Sequence, residues 1–186
     1  MKRQNIREGV FTVAGVLSSD ECIELVALAE CHGFEIATIN TRHGAEVDRD
    51  LRSNDRVILD DQALANQLWV RISSVVPSLL AGRQARGVNE RFRFYRYVPG
   101  QKFSWHTDGY FERANGERSL LTFMVYPNEG YKGGATDFVS ARVVGQTGMG
   151  LFFEHQLSHQ GAEVIEGIKY VLRSDVMYGP VGQFAG

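Results

Sequence analysis

The segment Phe103-Ser-Trp-His106-Thr-Asp108-Gly109 follows an alternating run, Arg91-Phe-Arg-Phe-Tyr-Arg-Tyr97. Side chains two residues apart on a strand share a face, so His106 and Asp108 can offer an imidazole nitrogen and a carboxylate oxygen to one point. Joined by a second histidine, such a set holds one face of an octahedron around ferrous iron and leaves the other positions open. His155 and His159 could each supply that histidine. A bare His-x-Asp pair describes a partly buried histidine beside a turn carboxylate equally well, so its weight depends on what accompanies it.

The chain after His159 reads Gln-Gly161-Ala-Glu-Val-Ile-Glu-Gly167-Ile-Lys169-Tyr-Val-Leu-Arg173. A His-x-Asp pair, a distal His and a Lys ten residues beyond it resemble the prolyl 4-hydroxylase-like branch of the Fe(II)/2-oxoglutarate dioxygenases. His106, Asp108, His159 and Lys169 stand at the four positions, which favours His159 over His155. Tyr97, nine residues before His106, sits where the family has Asn-Tyr or Arg-Tyr. Thr122-Phe-Met-Val-Tyr126-Pro-Asn128 resembles the Tyr-Leu-Asn strand, and Gly133-Gly-Ala-Thr136-Asp-Phe138 resembles Gly-Gly-Glu-Thr-x-Phe. Pro127 replaces the usual Leu and Ala135 the usual Glu; a proline there marks a strand that ends or lies at an edge. The likeness runs from about Asn89 to Tyr178, and the earlier half matches loosely, as the family's supporting helices.

The resemblance implies a double-stranded β-helix (a jelly-roll, cupin-like core) flanked by N-terminal helices. It also implies Fe(II) held by His106, Asp108 and His159, with 2-oxoglutarate and O2 as cosubstrates and ascorbate as an accompanying reductant. The 2-oxo acid would chelate the metal through its C1 carboxylate and keto oxygen. Its C5 carboxylate would then meet Lys169, with Tyr97 and Tyr126 donating phenolic hydrogen bonds. Strand alternation puts Arg173 on the face of Lys169, which makes it the rival cation. The expected reaction hydroxylates an unactivated C–H and releases succinate and CO2. A prolyl residue is the first expectation for the substrate, with a free amino acid or small metabolite close behind. Arg93, Trp105, Tyr110, Asn54 and Arg56 are the candidates to line its pocket. Asp108 argues against a halogenase, in which a small residue replaces the carboxylate. A non-catalytic jelly-roll sensor of metal or 2-oxoglutarate is the alternative from another class, and a cupin-type isomerase is a third.

The remaining sequence must position these groups. At 186 residues and 44% hydrophobic, the chain is long enough for one domain with a real core. We expect residues 1–88 to supply helices and the first strands, and 89–178 the catalytic jelly roll. A formal net charge of −2 gives no electrostatic case for nucleic acid or an acidic membrane. Two cysteines, Cys22 and Cys31, make no disulfide framework, and no apolar run approaches a membrane span. The expected location is cytoplasmic.

Gly9–Gly15 reads as a strand. Ser18-Ser-Asp-Glu21 is a capping box that opens a helix with Ile23, Val26, Leu28 and Ala29 as apolar positions, stopped by Gly33. Phe34–Ile39 reads as a strand and Asn40–Arg56 as a polar loop. Asp60 or Asp61 caps a second helix through Leu64, Leu68, Ile72 and Val75 to Pro77. A connector follows, and from Glu90 onward the pattern is short strands broken by glycine turns: Arg91–Val98, Leu120–Tyr126, Leu151–Glu154, Ala162–Ile165 and Lys169–Met177. The absence of a βαβ rhythm excludes a parallel Rossmann-like sheet. His32 and His43 read as bystanders.

Overall fold

The structure, a computed structural model, describes residues 1–42 and 44–182, with Asn40 and Thr41 described through their backbone alone. His43 lies outside the described residues.

The chain opens with a hairpin, β1 (Arg3–Arg7) and β2 (Val10–Val13). Helix α1 (Ser19–His32) starts on the expected capping box. The Glu21 amide donates to Ser18 Oγ at 3.2 Å, and the Ser18 amide donates to Glu21 Oε2 at 2.8 Å. The inward face differs from the expected one: Cys22 and Ala29 are buried, while Ile23 and Leu28 are exposed. Small residues let the helix approach the sheet closely, so the larger ones are left outside.

Next come three short strands, β3 (Glu35–Ile36), β4 (Ile39–Thr41) and β5 (Gly44–Glu46). The strand expected over Phe34–Ile39 is therefore broken at Ala37 and Thr38, and the expected polar loop holds most of the β4–β5 hairpin and the start of β6 (Asp55–Asp60). Helix α2 (Gln62–Ile72) is capped by Asp61, whose carboxylate accepts from the Leu64 amide at 2.9 Å. It ends at Ile72, well before Pro77, and buries Ala65, Leu68 and Ile72. Arg71 of α2 pairs with Glu21 of α1 at 2.6 Å, joining the two helices.

The stretch expected to be a connector holds β7 (Leu79–Leu80) and β8 (Arg83–Val88). Arg83-Gln-Ala-Arg-Gly-Val lacks apolar alternation, yet it pairs with the buried Val176–Tyr178 stretch of the last strand and sends Val88 into the core. Strands β9 (Arg91–Tyr97), β10 (Phe103–His106), β11 (Arg118–Tyr126), β12 (Lys132–Gly133), β13 (Thr136–Phe138), β14 (Ala141–Val143) and β15 (Met149–Glu154) follow. The last three are β16 (His159–Gly161), β17 (Val164–Glu166) and β18 (Lys169–Pro180). Strand β11 ends one residue before Pro127, as a missing backbone donor requires.

Two antiparallel sheets face one another. The large one runs β1-β2-β15-β11-β18-β9-β6-β3, with β8 also on β18 and β7 on β8. The small one runs β10-β16-β13-β14. This is the jelly roll the sequence led us to expect, with both helices against the outer face of the large sheet. Alternation divides the core accordingly. Phe92, Phe94, Phe123, Phe152, Leu172 and Val176 pack with Leu68 and Ile72 of α2, whereas Tyr95, Tyr97, Met124, Tyr126, Phe153 and Val171 fill the space between the sheets. Among the described residues no helix is long and apolar enough to cross a membrane.

Candidate active site

Strand β10 brings His106 opposite His159, the first residue of β16, and their rings lie 4.2 Å apart between centroids. Asp108 does not lie on β10, which stops at His106. Its amide instead donates to the His155 carbonyl at 3.0 Å, a crossover contact that turns the carboxylate back toward both histidines. His106 Nε2 is 3.9 Å from Asp108 Oδ1, and His159 Nε2 is 3.8 Å from Asp108 Oδ2. The three ligand atoms all lie within 4.8 Å of one another.

Each imidazole already has its other nitrogen engaged. His106 Nδ1 contacts the Ser104 carbonyl at 2.7 Å and His159 Nδ1 the Leu157 carbonyl at 3.0 Å. Those contacts require Nδ1–H, which leaves both Nε2 lone pairs free to bind a metal. Burial, then the neighbouring His159, pushes His106 down to about 4, and burial lowers His159 too. Both rings are therefore neutral at pH 7, as metal ligands must be. Burial alone would raise Asp108, but Arg173 and then His159 outweigh it and hold the carboxyl well below the usual range. The donor set fits a divalent ion of the ferrous kind.

Lys169, the first residue of β18, lies at the other end of the same cavity and is 1% exposed. Its Nζ is 5.0 Å from the centre of the Tyr97 ring and 5.7 Å from that of Tyr126. Burial, only partly countered by Asp137, pushes its ammonium down to about 7. Asp137 itself is tied to Arg142 at 2.6 Å. A buried ammonium with no ion pair among the described residues is a receptor for an anion. This fits the far carboxylate of a dicarboxylate chelated at the triad.

Tyr97 lines this cavity, but the Tyr126 hydroxyl is 2.7 Å from Thr136 Oγ1, and it is Thr136 that reaches the cavity wall. The remaining sequence candidates stand further out. Asn54 is fully buried and accepts from Arg52 Nε at 2.8 Å; half-buried Arg56 donates to Thr38 Oγ1 at 3.0 Å. Arg93 reaches Asp175 at 3.5 Å. Trp105 is 46% exposed and does not line the cavity. Tyr110 lies under the Arg118 guanidinium and faces a separate cavity beyond Asp108. None of these five lines the triad cavity.

Several contacts were not anticipated. Thr122 donates to Asp108 Oδ2 at 2.6 Å, Phe103 stacks on His106 at 3.5 Å, and Arg173 Nη2 lies 3.1 Å from Asp108 Oδ2. Thr122 was readable in principle, since it shares a strand face with Tyr126 four residues on. His155 is engaged elsewhere, with Nε2 3.2 Å from Asp175 Oδ1.

Residues 92–174 match the family model described as the 2OG-Fe(II) oxygenase superfamily. A search of curated proteins finds no match. Solved structures of the same fold include the collagen prolyl hydroxylase of Paramecium Bursaria Chlorella virus-1, 20% identical, covering 91% of this chain and 96% of that one at a TM-score of 0.62. A prolyl-4-hydroxylase from Pseudomonas putida is 19% identical over 90% of this chain and 92% of its own, with a TM-score of 0.65. A prolyl hydroxylase from Trichoplax adhaerens, solved with a hypoxia inducible factor peptide fragment, is 16% identical over 90% and 83%, with a TM-score of 0.66. The matched segment contains the His-Asp-His cluster and the buried lysine, and its jelly roll is that of the prolyl hydroxylases. The match to the 2OG-Fe(II) oxygenase superfamily model spans residues 92–174, and the fold of the chain is similar to that of the prolyl hydroxylases.

Proposed function

We propose that the protein hydroxylates an unactivated C–H of a prolyl residue, a free amino acid or a small metabolite. His106, Asp108 and His159 would hold the iron, and Lys169 would take the C5 carboxylate of 2-oxoglutarate. The observation that carries this reading is the single cavity. It has three ligand atoms within 4.8 Å of one another at one end and a buried, ion-pair-free ammonium at the other. In balance, substrate, O2 and 2-oxoglutarate give hydroxylated substrate, succinate and CO2.

Ferrous iron, when bound, supplies the O2 chemistry. The protein supplies geometry. The Ser104 and Leu157 carbonyls fix the tautomer of each histidine, and Thr122 fixes the carboxylate. Thr136 and Tyr97 offer hydroxyls to the cosubstrate beside Lys169. Tyr95, Phe103, Met124 and Val171 form walls that exclude water. The fold of the prolyl hydroxylases supports a prolyl ring as one substrate. The test loads the protein with Fe(II) anaerobically, then adds O2 and 2-oxoglutarate and measures succinate. Succinate release that His159→Ala abolishes supports the oxygenase. Tight 2-oxoglutarate binding with no succinate under any candidate substrate would instead make the protein a sensor.

A further inference from the structure

Arg173 and Arg93 are direct cross-strand partners on β18 and β9. Like charges placed opposite one another on a sheet repel, so such a pair persists only with an anion between them. That anion is Asp175, 3.1 Å from Arg173 Nη2 and 3.5 Å from Arg93 Nη1. Arg173 makes a second contact, with Asp108 at 3.1 Å, and its Nε is buried without a hydrogen-bond partner.

Position separates Arg173 from Lys169. Four residues of strand set them about 13 Å apart, with Lys169 at the depth of the cavity and Arg173 at the metal carboxylate. The two cations therefore serve different anions. Asp108, moreover, is the partner that Arg173 must share once a metal takes that carboxylate. Arg173 lines the triad cavity and reaches Asp108.

The charges point the same way. Fe(II) and dianionic 2-oxoglutarate cancel, as do Asp108 and Lys169. Arg93 and Arg173 remain against the lone carboxylate of Asp175. Behind them Arg52, 5% exposed, stacks its guanidinium on the Tyr95 and Phe103 rings, and half-buried Arg56 stands close to Arg52 and Arg93. Neither Arg52 nor Arg56 has an acidic partner among the described residues, and Arg52 Nη2 is buried without any hydrogen-bond partner. Uncompensated positive charge of this kind, partly out of water, costs stability unless an anion arrives.

We infer that the primary substrate is a small carboxylate, of the free amino acid class, whose carboxylate is held by Arg173 at the iron end of the cavity, with Arg93, outside the cavity lining, as the second guanidinium across Asp175. This rests on the reading of the site given above and narrows it. It sets aside a neutral residue within a peptide chain, which brings no such charge. A guanidinium next to a metal ligand places a bound carboxylate within a few ångströms of the reacting centre, which is the positioning a hydroxylation needs.

Calorimetric titration of protein loaded with Mn(II) and 2-oxoglutarate tests this without turnover. The probes are the proteinogenic amino acids, each against its primary amide and beginning with L-proline and L-prolinamide, plus the neutral capped peptide N-acetyl-Gly-Pro-Gly-amide. We expect at least one acid to bind about tenfold or more tightly than its amide. Arg173→Gln and Arg93→Gln should each erase that preference; in Arg93→Gln, which touches neither a metal ligand nor the triad cavity, 2-oxoglutarate affinity stays within about threefold. The more exposed Arg93 gives the safer variant if Arg173→Gln fails to fold. No acid preferred over its amide, a capped peptide bound as tightly as any acid, or a preference that survives both substitutions would overturn the inference. Failure of the wild-type protein to bind 2-oxoglutarate would instead remove the site reading beneath it, and both would fall.

Discussion

Thr122 donates a 2.6 Å hydrogen bond from Oγ1 to Oδ2 of Asp108. The hydroxyl comes from β11, at the centre of the large sheet, and the carboxylate from the turn after β10. The bond therefore ties a residue outside any strand to the most rigid part of the molecule. Removing it leaves Asp108 charged and held by Arg173 alone, at 3.1 Å. Thr122→Val should weaken Mn(II) or Fe(II) binding by about ten- to a hundredfold, and Thr122→Ser should restore most of it. Anaerobic calorimetry with each metal measures the effect.

The two candidate histidines part company in the structure. His159 Nε2 faces Asp108, while His155 Nε2 is 3.2 Å from Asp175. Accordingly, His159→Ala should abolish stoichiometric metal binding. His155→Ala should hold metal affinity within about threefold, since no ligand is lost. Equal losses in the two variants would place the distal ligand elsewhere.

Lys169 should be costly to the empty protein and necessary to the loaded one. Lys169→Met should raise the 2-oxoglutarate requirement by about ten- to two-hundredfold, the loss of a charge-assisted contact of ~1.5–3 kcal/mol. The same variant should be more stable than wild type without ligand. Burial pushes the folded-state ammonium from 10.5 down to about 7. The unfolded chain therefore binds more protons between those values, and wild-type stability from this group rises with pH across that window. The gain from Met should be largest below pH 7 and shrink toward pH 10. Denaturant midpoints of metal-free protein at pH 6 and 9 check the sign.

Cosubstrate affinity should follow the same proton in reverse. Below pH 7 the Lys169 ammonium is already charged and ready for a carboxylate. Above it, binding must first take up a proton. Affinity for 2-oxoglutarate should fall by up to about tenfold per pH unit above 7, until the higher pKa of the bound state is reached. Titrations from pH 6 to 9 with Mn(II) in excess should show net proton uptake that Lys169→Met eliminates.

How much of this was legible follows from how local each signal is. The capping box at Ser18, the cap at Asp61 and the end of β11 before Pro127 depend on neighbours within a few residues, and all appear where expected. The inner face of α1 was misread because apolarity marks what can be buried. Which side approaches the sheet was decided by the smallness of Cys22 and Ala29. Strand β8 escaped notice because only Ala85 and Val88 of its six residues reach the core, too few to write an apolar alternation.

At the site, a histidine, an acid, a distal histidine and a lysine at the spacing of a known family singled out the candidate trio and Lys169 in one dimension, and the structure brings the trio together. Only the tertiary structure decided that Asp108 leaves its strand to hang from the His155 carbonyl, that Thr122 holds it, and that Arg173 stands opposite Arg93 with Asp175 between. Those relations join residues far apart in the chain through sheet register, and register is set by the packing of the whole barrel rather than by any one strand.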